Sequence, residues 1–125
     1  MRFHRILPEY DGRLRLRIRP FPLEIYGSGA APRHVLEQEW WLAAIQEPAA
    51  EFARYTGDDW PTTTLPAFEA AWCAARQGEA AFFDVDLRIR RAFFAQGRNI
   101  GRREVMLEIA EEAGLDMPRF TRDFA

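Results

Sequence analysis

The segment RLRLRIRPFPLEIYG, residues 13–27, constrains the fold most, because it holds a clear β-strand signal in a chain whose other patterns are helical. Leu14, Leu16 and Ile18 alternate with Arg13, Arg15, Arg17 and Arg19. A period of two puts the aliphatics on one face and the guanidiniums on the other, and Pro20 and Pro22 end the run. The arginine row suits an edge strand, because charges along an edge discourage unwanted pairing. No downstream segment reads as its partner. Left unpaired against a core, such a strand leaves several backbone groups unbonded at about 1–3 kcal/mol each. Either a two-fold mate brings an identical strand, or the neighbouring strand lies outside this chain.

The length of 125 residues suits one core. No apolar run approaches the ~20 residues a membrane span needs, and charges throughout the first twenty residues leave no secretory leader pattern, so the expected location is the cytoplasm. All 17 basic residues are arginines, yet the net charge is only −2. The arginine row is interleaved with Leu and Ile rather than with aromatic side chains, which argues against a nucleic-acid partner.

Helical signals follow the strand. Residues 31–47 carry a stripe of Val35, Leu36, Trp40, Ala43 and Ala44, and Pro48 ends it. A short helix is expected over residues 48–55, closing at Gly57. A loop rich in Asp, Pro and Thr then delivers a helix near Thr64, with Thr64 as its cap and with Leu65, Phe68, Trp72 and Ala75 as its inner face. Gly78 stops it. The next helix places Phe82, Val85, Ile89 and Phe93 on one stripe and Phe83, Leu87 and Phe94 beside it. Further on, Gly101 can serve as N-cap with Glu104 completing a capping box, Val105, Ile109 and Ala113 form the inner stripe, Gly114 and Leu115 form an αL stop, and Asp116 caps a last helix. The expected fold is mostly α: a bundle of about five helices with one N-terminal β-strand.

Arg19-Pro20-Phe21-Pro22-Leu23, then Ala92-Phe93, Asn99-Ile100, Val105 to Leu107 and Ala113-Gly114-Leu115-Asp116, in this order, carry a resemblance. The chain resembles the DsbA-like branch of the thioredoxin superfamily, more narrowly the FrnE, 2-hydroxychromene-2-carboxylate isomerase and kappa-class glutathione transferase relatives. The resemblance implies that residues 1–30 are a remnant of the thioredoxin-like subdomain, a helix end and its edge strand, and that residues 31–125 are the helical insertion of that α/β fold. It implies a parent activity of thiol–disulfide exchange or glutathione-dependent chemistry. The Cys-x-x-Cys helix and the cis-proline loop of the family have no counterpart here, and Pro8 falls where the active-site helix would be ending. Whether the chain is an enzyme stays open, and alone it is expected not to catalyse. By the same resemblance, Trp60, Thr63, Thr64 and Trp72 would face a thiol substrate or glutathione.

Few residues offer chemistry of their own. Cys73 is the one cysteine, so intramolecular dithiol exchange is excluded; it reads as a buried apolar residue, with an exposed reactive thiol as the other reading. His4 and His34 have no partner at useful spacing. Asp58 with Asp59 reads as turn chemistry and Asp84 with Asp86 as solvated surface, so no metal and no resident cofactor is expected. The alternative to the oxidoreductase-family reading is a non-catalytic module that forms a homodimer through the strand of residues 13–19.

Overall fold

The computed structural model describes residues 2–26 and 32–125. Seven α-helices follow in order: α1 (Arg2–Ile6), α2 (Leu23–Tyr26), α3 (Arg33–Gln46), α4 (Leu65–Ala75), α5 (Glu79–Phe94), α6 (Arg103–Glu112) and α7 (Met117–Phe124), with a 3₁₀ turn at Leu7–Tyr10. The molecule is mostly helical, as the periodicity predicts.

Helix α4 is the hub, packing against α5, α6 and α7. Its buried residues are Ala67, Ala70, Cys73 and Ala74. The periodicity instead predicts Leu65, Phe68, Trp72 and Ala75 as the inner face, and the structure corrects this: Trp72 is 59% exposed. Small side chains let three helices approach α4 closely, and that packing turns the bulkier ones outward. From the neighbours come Val85, Ile89, Ala92 and Phe93 of α5, Met106, Ile109 and Ala110 of α6, and Phe120 and Phe124 of α7. Helix α3 contributes Trp40, while Trp41, Leu42 and Ile45 on its other side are exposed.

The expected helix over residues 48–55 is absent. Residues 51–57 take no regular structure, and the backbone N–H of Ala53 instead donates to Phe94 O at 2.8 Å. An eight-residue helix is marginal alone, and the aromatic cluster around Trp40 draws in Phe52 and Tyr55, with Phe52–Phe94 centroids 5.3 Å apart.

Among the described residues there is no β-strand. Residues 14–20 lie outside any helix or turn, and no backbone–backbone hydrogen bond from another described residue reaches them. Alternation selects a face, but a ladder requires a second strand, and the described residues offer none. Leu16 and Ile18 are half-buried while Arg15, Arg17 and Arg19 are exposed, so the two-faced character survives in part without the strand; Leu14, the third aliphatic of the run, is exposed.

The C-terminal punctuation forms as expected. Gly114 has φ +69°, Leu115 N donates to Ala110 O at 3.2 Å, and Asp116 Oδ1 accepts from Arg119 N at 3.1 Å to cap α7. Gly101 is not the N-cap of α6. That position is Arg102, and Gly101 N donates to Asn99 Oδ1 at 2.9 Å, an Asx turn that steers the chain into the helix.

Candidate functional site

Residues 15–21 wall a groove of about 560 Å³ whose other sides come from α4 and α5. Phe68, Ala71, Trp72 and Ala75 line it from α4, and Phe82, Phe83, Asp86 and Arg90 from α5. The polar end is fixed internally: Arg90 holds Asp86 through Nε at 2.9 Å and a second nitrogen at 3.1 Å. His4 Nε2 lies 3.3 Å from Asp86 Oδ2 and 3.1 Å from Phe83 O, so α1 is pinned to α5 beside the groove. Burial lowers the pKa of His4 below its ordinary value, and the Asp86 carboxylate opposes that shift. The imidazole is therefore neutral near pH 7, and Arg90 is the cation paired with Asp86.

Of Trp60, Thr63, Thr64 and Trp72, which the resemblance sets toward a thiol substrate, Trp72 alone lines this groove. Thr64 lines an adjoining cavity of about 220 Å³ that shares Phe68, Ala71, Asp86 and Arg90 with it. Trp60 lies elsewhere. It stacks on Trp40 with centroids 5.8 Å apart and meets Tyr55 edge-on at 4.9 Å, while the Arg33 guanidinium sits over its ring at 5.1 Å. The same Arg33 donates to Gly57 O at 2.9 Å and to Tyr55 O, so this cluster is architecture that secures the loop before α4.

Thr63 and Thr64 are occupied by Glu24. The Glu24 carboxylate accepts from Thr63 Oγ1 at 2.8 Å and from Thr64 N at 3.0 Å, and the Thr64 side chain makes no cap bond. The expected Thr64 cap is thus replaced by an acid from α2. Glu24 seals the N-terminus of α4, where a negative charge is favoured.

Asp59 joins the same loop to α6. It accepts from Arg102 Nε at 2.6 Å and from Asn99 Nδ2 at 2.8 Å, and those two hydrogen bonds hold its carboxyl below the ordinary range. Tyr55 Oη donates to Asp59 O at 2.6 Å. Asp59 is therefore a structural tie and not a free acid.

Cys73 is buried on the far side of α4, its Sγ donating to Asp123 O at 3.2 Å. Burial foremost, then the Asp123 charge, pushes the thiol up. The reading of Cys73 as an exposed reactive thiol is corrected: both access and thiolate character are missing. His34 is exposed at the start of α3. Among the described residues no three His, Cys, Asp or Glu side chains converge in a way that could hold a metal, and no helix is long and apolar enough to cross a membrane.

The sequence reading missed Phe82, Phe83, Asp86 and Arg90 as groove residues. The signal was present in the i, i+4 pair Asp86–Arg90 beside an aromatic pair, but the phenylalanines read as core stripe. Comparison of the chain with family models, with curated proteins and with solved structures finds no match.

Proposed function

We propose that this chain is a helical binding module of the DsbA-like thiol–disulfide oxidoreductase kind, with no nucleophile of its own, that offers its groove to the apolar part of a thiol substrate or glutathione conjugate. One observation carries the reading: Arg19, Pro20 and Phe21, which carry the resemblance, border the same groove as exposed Trp72 of the helical part. An aromatic floor of Phe68, Trp72, Phe82 and Phe83 suits the apolar part of such a ligand, and Arg15, Arg17 and Arg19 at the same groove suit its carboxylates. The buried Cys73 supports the absence of a thiolate nucleophile.

Titration of the purified chain with S-benzylglutathione, followed by tryptophan fluorescence and calorimetry, tests the groove. Saturable binding that Trp72→Ala abolishes is expected, with no insulin reduction and no glutathione conjugation. Turnover in either assay overturns the non-catalytic reading, and binding indifferent to Trp72→Ala overturns the placement of the site.

A second reading rests on the backbone of residues 14–20, which makes no backbone–backbone hydrogen bond among the described residues. It is a homodimer paired along that edge, and light scattering over a range of concentrations tests it.

A further inference from the structure

We infer that residues 14–19 form a docking edge for an extended segment of another protein in which acidic and apolar residues alternate. Three observations lead there. The backbone of residues 14–20 makes no backbone–backbone hydrogen bond among the described residues, so its N–H and C=O groups stand ready for a ladder. Arg15, Arg17 and Arg19 are exposed, and no ion pair or hydrogen bond holds their guanidiniums among the described residues. Finally, Leu16 and Ile18 are half-buried beside a groove whose apolar wall leaves Trp72 largely exposed.

A strand added to this edge sets each of its residues opposite one residue of the edge, with both side chains on the same face. Residues facing Arg15, Arg17 and Arg19 are then best acidic. Those facing Leu16 and Ile18 are best apolar, since they extend the layer toward Trp72. Like charge disfavours a second copy of this chain as the occupant, so the homodimer paired along this edge is the competing outcome of the test below. In an antiparallel self-pair, one register sets Arg against Arg, a like-charge contact, and the shifted register sets each Arg among the aliphatics.

The test uses the full chain and dye-labelled seven-residue peptides followed by fluorescence anisotropy. The expected binder alternates Glu and Val. A scrambled peptide of the same composition, the alternating Lys and Val peptide, and a Glu–Val peptide N-methylated at its ladder amides should each bind at least about tenfold more weakly. Arg15→Glu with Arg17→Glu should weaken the Glu–Val peptide by about tenfold and strengthen the Lys–Val peptide, a reversal that misfolding does not produce. Circular dichroism checks that the helices survive. Equal binding of the scrambled peptide, or no effect of N-methylation, overturns the proposal. So does a dimer that Ile18→Pro dissociates, which would assign the edge to pairing between copies.

Discussion

The carboxylate of Glu24 caps α4 by accepting from Thr64 N across 40 positions of sequence. Its Oε1 also accepts from Thr63 Oγ1 at 2.8 Å. One side chain thereby satisfies an orphan helix N–H and ties α2 to the hub helix. Removing such a cap costs about 1 kcal/mol. Glu24→Ala should lower the urea midpoint accordingly, and Glu24→Gln, which keeps an acceptor, should lose less. Equal losses in the two variants would show that charge, not hydrogen bonding, is what α4 requires.

Gly101 sits against the loop that Glu24 secures. A Cβ there would lie 2.5 Å from Thr63 O and 3.1 Å from Asn99 Oδ1, and the first neighbour is backbone that cannot swing away. Gly101→Ala should destabilise by about 1–3 kcal/mol through overpacking. Gly97 offers the contrast. At φ +64° with nothing near its absent Cβ, alanine there meets conformational strain alone, on the order of 1 kcal/mol. Chemical denaturation of both variants should rank Gly101→Ala as the more damaging, and the reverse order would sink the argument from space.

What the sequence revealed depended on range. Gly114, Leu115 and Asp116 act within a few residues of themselves, so their stop and cap could be read directly. The cap of α4 could not, because Glu24 and Thr64 meet only after the chain folds. Trp72 was misplaced inward because hydrophobicity ranks it above Ala70 and Ala74, whereas close helix packing ranks small size first. The resemblance alone sets Trp60 at a groove, with no support from its own neighbours in the sequence; Trp40, Tyr55 and Phe93 claim its ring instead. The period-two run of residues 13–19 keeps its two faces only at Leu16 and Ile18 and has no ladder among the described residues, since a strand is a property of a pair.

His4 supplies a pH dependence with a definite sign. Its folded pKa lies below the ordinary 6.5 because burial outweighs the attraction of Asp86. Above pH 6.5 neither state binds this proton and His4 has no effect. As the pH falls from 6.5 through the folded value, the unfolded chain binds more protons, so stability is lost across that window and levels off below it. Urea midpoints at pH 7.5 and 5 should therefore fall further for the wild type than for His4→Gln, whose side chain does not titrate. If acid instead stabilised the wild type relative to the variant, the ion pair with Asp86 would outweigh burial, and the assignment of a neutral imidazole would be wrong.

Cys73 reports on the core from within. Its thiol is buried, donates to Asp123 O at 3.2 Å and is pushed up by burial and then by the Asp123 charge. Attack by a reagent needs both access and thiolate, so modification must wait for an opening of α4 from α7. Labelling with a maleimide at pH 7.5 should be on the order of 100-fold slower in the folded chain than in urea. Glu24→Ala, which loosens the start of α4, should accelerate it in proportion to the stability lost if modification requires global unfolding. An unchanged rate in that variant would place the opening locally, in the short α7, which carries the buried Phe120 and Phe124. Folded-state labelling as fast as that in urea would refute the burial itself and reopen a reactive role for the thiol.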